Sequence, residues 1–161
     1  NSKDPHGKHL CVKMFDSFNY YGHMCLTFEV LGESVFDFLK SNNYVPYPLD
    51  QVRHISYQLT YAVKFMHDHK LTHTDLKPEN ILIDSEGYLR LTDFGLSKIS
   101  NGEQEQNDQK MRRTATFCGT LEYMAPEMMQ AKGYSNSVDW FSFGILLFEM
   151  ITGKNPLKNE R

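Results

Sequence analysis

The stretch His73-Thr74-Asp75-Leu76-Lys77-Pro78-Glu79-Asn80 sets a carboxylate, an ammonium and an amide within six residues, and Asp93-Phe94-Gly95 adds a second carboxylate. Such a set supplies a base for a hydroxyl proton, a cation for a phosphate, and hard oxygen donors for a divalent metal. Those are the parts that phosphoryl transfer requires. Read singly, each loop Asp or Asn is as readily a turn former or a helix cap; the ordered set is what points to chemistry.

Elements must hold these loops in place. Val52, Ile55, Leu59, Ala62, Val63 and Met66 recur at helical spacing, which predicts a long amphipathic helix over 49–69. Ile81-Leu82-Ile83 and residues 88–92 read as short strands, joined by the tight-turn sequence Asp84-Ser85-Glu86-Gly87. Residues 137–152 predict a buried helix, capped by Ser137 and ended by Gly153, with Pro156 barring its continuation. Toward the N-terminus, Leu10, Val12 and Met14 alternate as in a strand, and Met24, Leu26, Phe28 and Val30 do the same. A turn over 19–22 would join them, and a short helix is expected over 35–40. Residues 100–113 hold one large apolar side chain, Met111, and are expected to be mobile.

The whole chain has 161 residues, 40% hydrophobic and 23% charged, which suits one soluble globular domain. A net charge of −3 gives no reason to expect nucleic acid or an anionic membrane as partner. Cys11, Cys25 and Cys118 are an odd set without metal-ligand spacing, so free thiols in an intracellular, cytoplasmic or nuclear setting are expected. His67, His69 and His73 lack a Cys or carboxylate that would complete a metal geometry. The sequence does not specify an oligomeric state.

With Ala125-Pro126-Glu127 downstream, the three motifs in this order resemble the eukaryotic protein-kinase family. The resemblance implies an α+β, protein-kinase-like fold that is incomplete: residues 1–31 as a remnant of the small lobe and 32–161 as a partial, mainly helical large lobe. Residues 1 to about 82, notably 9–37 and Leu71-Thr72-His73-Thr74-Asp75, resemble LAMMER-type dual-specificity kinases of Ser/Arg-rich splicing factors. From about residue 87, Leu91-Thr92-Asp93-Phe94-Gly95-Leu96 and Thr116-Phe117-Cys118-Gly119-Thr120-Leu121-Glu122-Tyr123 look like the AGC class.

What the resemblance implies is an ATP- and Mg²⁺-dependent serine/threonine protein kinase acting on a protein substrate, Arg-rich if the first branch governs. Asp75 is then the catalytic base, Lys77 neutralises the transferred phosphate, and Asn80 and Asp93 hold Mg²⁺. Thr120 bonds to Asp75 and Lys77, and Asp139 anchors the loop that carries them. The nucleotide-contacting set is Glu29, Leu31, Ser34, Asp37, Lys77, Glu79, Asn80, Leu82 and Asp93. Glu29 and Leu31 belong to the hinge whose backbone bonds adenine, with Phe28 behind the pocket and Leu82 as its floor. Ser34 and Asp37 reach the ribose or simply cap a helix, and Glu33 beside them meets the ribose or a substrate arginine. Glu79 pairs with a substrate arginine or is an ordinary loop carboxylate. Thr116 stands where AGC-class kinases are phosphorylated, behind Arg112 and Arg113.

The pattern departs from the family at three points. No glycine-rich loop or V-A-I-K strand is present, and Lys13 does not fill the role of the latter's lysine. The residue before Asp75, which in the family is the arginine that reads a phosphothreonine, is Thr74. Glu127 lacks the arginine that usually pairs with it. These departures leave open an alternative, a pseudokinase-like fragment that binds without turnover. They also predict an apolar surface left uncovered.

Overall fold

The computed structural model describes residues 10–99, 119–130 and 133–158. Two helices form its frame. Helix α2, Leu49–Asp68, follows α1, Val35–Ser41, and buries Val52, Ile55, Leu59, Ala62, Val63 and Met66 along one stripe, as their spacing predicts. Gln58 lies on the same stripe, which is tolerable because both ends of its amide are engaged. Its Oε1 accepts the Leu89 N–H at 2.9 Å and its Nε2 meets His54 at 2.6 Å.

The second frame helix is α4, Ser137–Thr152, preceded by the short α3, Pro126–Met129. Leu146 and Met150 of α4 join the α2 stripe, Leu39, Leu76, Ile81 and Leu91 in the main core. Val138 instead joins Met124, Ala125, Met128 and Tyr134 in a smaller cluster. The expected cap by Ser137 does not form. Ser137 is already the first helical residue, so its N–H is served by Ser135 Oγ at 3.2 Å. Gly153 ends the helix as expected, with φ +73° and its N–H donated to Glu149 O.

Among the described residues, three small antiparallel pairs accompany the helices. β1, Met14–Tyr20, and β2, His23–Phe28, form a hairpin whose turn residues Tyr21 and Gly22 both have positive φ. The strand expected around Leu10 to Met14 therefore starts where the prediction ended. Leu10 and Val12 instead pair through their backbones with Leu91, by Leu91 N–H to Leu10 O at 2.8 Å and Val12 N–H to Leu91 O at 2.9 Å, while Leu10 and Cys11 pack against the main core and Val12 is buried. Periodicity identifies the buried side chains, not the strand they pair with. Phe15, Met24 and Leu26 of the hairpin and Val30 just after it are exposed.

β4, Ile81–Ile83, pairs with β5, Leu89–Leu91, through a turn in which Asp84 Oδ1 accepts the N–H groups of Glu86 and Tyr88. β3, Leu71–Thr72, pairs with β6, Lys98–Ile99, a contact too short to show as a sequence period. These two pairs flank the polar loops. The segment expected to be mobile lies outside the described residues.

Two glycines with the same backbone sign separate strain from crowding. A Cβ on Gly87, φ +84°, would meet nothing within 4 Å, whereas one on Gly153 would overlap the Tyr44 carbonyl oxygen. Urea unfolding is expected to show Gly87→Ala losing about 1 kcal/mol and Gly153→Ala about 3 kcal/mol. Equal losses would contradict the crowding at Tyr44.

Candidate active site

Asp139, in the first turn of α4, is 0% exposed. Its Oδ1 accepts the N–H of Thr74 at 2.8 Å, and its Oδ2 accepts the N–H of His73 at 2.9 Å and bonds His67 Nε2 at 2.8 Å. A buried carboxylate must be met by donors, and the polar loop supplies them. The family-implied anchor is thus present in the geometry.

His73 extends the link to the second motif. Its Nε2 bonds the Thr92 carbonyl at 2.8 Å, and its Nδ1 faces the N–H of Asp75 at 3.3 Å. A carbonyl only accepts and an amide only donates, so the ring carries its proton on Nε2. Asn80 O also accepts from Thr92, by N–H at 2.9 Å and by hydroxyl at 3.0 Å. The residue before Asp93 is therefore tied to both ends of the loop that carries Asp75.

Asp75 is 6% exposed and has a partner on each oxygen. Oδ1 accepts from Thr120, by N–H at 2.8 Å and by hydroxyl at 2.9 Å. Oδ2 faces Lys77 Nζ at 3.1 Å and Asn80 Nδ2 at 3.2 Å. Lys77 Nζ in turn donates to Thr120 Oγ1 at 2.7 Å. Burial pushes the Asp75 carboxyl up. The Thr120 hydroxyl and the Lys77 ammonium outweigh burial and hold it below the ordinary 3.8.

The oxygens that would meet a metal differ in character. Asn80 Nδ2 is engaged by Asp75, by its backbone oxygen at 2.9 Å as well as by Oδ2, which leaves the amide oxygen as the outward acceptor. Asp93 is exposed at φ +58°, with one long bond from the Gly95 N–H to Oδ1 at 3.4 Å. One amide oxygen and one little-engaged carboxylate suit a hard cation that brings most of its own ligands. Among the described residues no cluster of three His, Cys, Asp or Glu forms, and His67, His69 and His73 each bond a protein oxygen.

The hinge candidates stand apart from this cluster. The Glu29 carboxylate accepts the Lys13 N–H at 2.9 Å and lies 3.9 Å from Arg90, which itself pairs with Asp84 at 3.1 Å. Neither the carbonyl of Glu29 nor the backbone N–H and carbonyl of Leu31 is bonded among the described residues. Ser34 and Asp37 form a capping box on α1: Ser34 Oγ–H donates to Asp37 Oδ2 at 2.6 Å and accepts the Asp37 N–H at 3.0 Å. That hydroxyl also lowers the Asp37 carboxyl. Leu82 is half-buried and bridges Ser34, Phe28 is exposed at the end of β2, and Glu33 and Glu79 face solvent. Glu127 makes no ion pair among the described residues. Thr116, Arg112, Arg113 and Cys118 lie outside those residues.

Sequence reasoning missed three participants. His67 supports Asp139, Thr74 donates its hydroxyl to Leu96 O at 2.9 Å, and Arg90 lies 3.9 Å from the Glu29 carboxylate. None of these has a spacing signal, because each acts across the fold. Two surface clefts, of about 270 Å³ between α1 and α2 and about 360 Å³ between α2 and the β4–β5 turn, are not bordered by Asp75, Asn80 or Asp93.

A helical lobe anchored on a buried Asp, with Asp75, Lys77, Asn80 and Thr120 interlocked, is the arrangement of a protein kinase large lobe. The protein kinase domain family matches residues 6–161, and the chain belongs to that family. It is 48% identical to the serine/threonine-protein kinase Doa of Drosophila melanogaster, over 94% of this chain and 19% of that protein. It is 46% identical to the human dual specificity protein kinase CLK2, over 95% of this chain and 32% of that protein. The probable dual specificity protein kinase madd-3 of Caenorhabditis elegans is 40% identical over 94% of the chain and 18% of that protein. These matches run through both halves of the chain and bear out the LAMMER-type resemblance; the AGC-like character of the later motifs stays a resemblance. The chain spans a third or less of the length of these relatives.

The lowered Asp75 carboxyl has a consequence for stability. Its folded pKa lies below 3.8, so the stabilisation is complete above that value and is lost as pH falls through the folded pKa. Below pH 3.8, the slope of unfolding free energy against pH is expected to be smaller in Asp75→Asn than in wild type. Identical slopes would mean that Asp75 is not held by Lys77 and Thr120.

Proposed function

We propose that this chain carries the catalytic centre of an ATP-dependent serine/threonine protein kinase. The carrying observation is the double engagement of Asp75 by Thr120 and Lys77, beside Asn80 and an Asp93 whose neighbour Thr92 bonds Asn80 O. The carboxylate is kept ionised, as a proton acceptor for a hydroxyl must be. Lys77 stands on the same side, where an ammonium offsets charge on a phosphate oxygen. The Asn80 amide oxygen and the Asp93 carboxylate are the proposed metal ligands, and bound Mg²⁺ would neutralise and orient the polyphosphate of ATP.

For the nucleotide base we assign the Glu29 carbonyl and the Leu31 backbone groups, with Leu82 as the apolar floor. Asp37 keeps Oδ1 outside the capping box, and that is the atom we assign to the ribose. Glu79, exposed beside Lys77, is assigned to an arginine of the substrate. The protein substrate is thus a Ser- or Thr-bearing segment, Arg-rich by the LAMMER-type likeness. We further take residues 1–31 as small-lobe and 32–161 as large-lobe, in an intracellular protein.

Asp75→Asn is expected to lower phosphate transfer to an Arg/Ser-rich peptide by roughly 10²–10⁴-fold while nucleotide binding persists. Unchanged transfer would refute the assignment. Nucleotide bound by the wild type with no phosphate incorporated would favour the binding-only alternative.

Thr74 in place of arginine removes the usual reader of a phosphothreonine. Thr116→Ala is therefore expected to change the transfer rate by less than about threefold, under half the free energy of one strong charge-assisted hydrogen bond. A loss of tenfold or more would show that phosphorylated Thr116 is read by another cation.

A further inference from the structure

Thr74 is a buried, β-branched residue with φ +70°, a conformation such residues rarely adopt. Strain of this kind persists only where surrounding contacts impose it. Two hydrogen bonds impose it here, and a third segment passes close by. The Thr74 N–H donates to Asp139 of α4 at 2.8 Å, and its hydroxyl donates to Leu96 O at 2.9 Å. Its carbonyl oxygen lies where a Cβ on Gly119 would come within 2.8 Å, directly before the Thr120 that holds Asp75.

The bond to Leu96 gains its meaning from its neighbour. His73 grips the carbonyl of Thr92, one residue before Asp93, and Thr74 grips the carbonyl of Leu96, three residues after it. Consecutive residues of the loop that leads into Asp75 thus hold both ends of the Asp93 turn. The Ser97 hydroxyl adds a weaker link to His73 O at 3.4 Å.

We propose that Thr74 is a positioning residue: its hydroxyl fixes the Asp93 turn against the Asp75 loop without any charge supplied by modification. This rests on the assignment of Asp75 and Asp93 made above. A neutral tether of this kind carries no charge for salt to screen and no phosphate for a phosphatase to remove, unlike an arginine–phosphate pair.

Amide hydrogen exchange of the nucleotide-free chain tests the tether. Thr74→Val keeps the branched shape and removes the donor, whereas Thr74→Ser keeps the donor. In the valine variant the Ser97 amide, bonded to Phe94 O in wild type, is expected to exchange about tenfold faster, with α4 amides unchanged. The serine variant is expected to stay within about threefold of wild type. Thr74→Cys, a weak donor of similar size, supplies the comparison if the valine variant does not fold, and its Ser97 amide is expected to exchange faster than that of the serine variant. Exchange that rises uniformly through the chain, or does not change at Ser97, would overturn the proposal.

A second readout is the Mg²⁺ concentration at half-maximal binding of a fluorescent ATP analogue. It is expected to rise about tenfold in Thr74→Val and to return in Thr74→Ser. An unchanged Mg²⁺ requirement beside faster local exchange would leave Thr74 a merely structural residue and overturn its positioning role. Absence of nucleotide binding in every form, wild type included, would instead count against the kinase reading, while the exchange result still decides the tether.

Discussion

The buried carboxylate of Asp139 is the constraint on which the rest of the site depends. It sits in the first turn of α4, out of contact with water, and meets two backbone N–H groups and one imidazole. Each of those donors would lie unsatisfied in the interior without it, at about 1–3 kcal/mol apiece. Satisfying them holds the backbone from His73 to Thr74 in a course that includes a left-handed threonine. α4 is itself fixed by apolar packing of Leu146 and Met150 against α2. Hydrophobic burial therefore sets the position of a charge, and that charge sets the position of a loop.

From this anchor the polar groups are arranged by short range. Asp75, Lys77, Asn80 and Thr120 form a closed set in which each side chain limits its neighbour. The Lys77 ammonium stabilises the ionised form of Asp75. Thr120 serves both, accepting from Lys77 and donating to Asp75. The Asp93 turn is held less rigidly and keeps its carboxylate open to solvent. A tightly held carboxylate thus stands beside an accessible one.

Much of this was legible in the sequence, for identifiable reasons. The stripe from Val52 to Met66 and the run from Ser137 to Thr152 gave their helices because burial imposes a 3.6-residue period. Asp84 to Gly87 gave a turn because turn chemistry is local. Asp75, Lys77, Asn80 and Asp93 were found as motifs, and Thr120 and Asp139 through the family resemblance. What failed to show was non-local. Leu10 and Val12 alternate like strand residues yet serve β5, and Ser135 rather than Ser137 meets the first helical amide of α4. The hydroxyl of Thr74 and the ring of His67 find partners 22 and 72 residues away, which no spacing rule encodes.

Convergence of Asp75, Asn80 and Asp93 on one metal–nucleotide position is the central claim. It is tested most directly by Mn²⁺ bound with a non-hydrolysable ATP analogue, observed through paramagnetic broadening of selectively ¹³C-labelled Asp and Asn side chains. The Asn80 and Asp93 carbonyl signals are expected to broaden most and Asp75 next, with Asp16, Asp68 and Asn42 unaffected. Broadening that misses Asn80 and Asp93, or that falls evenly on exposed carboxylates, would contradict it.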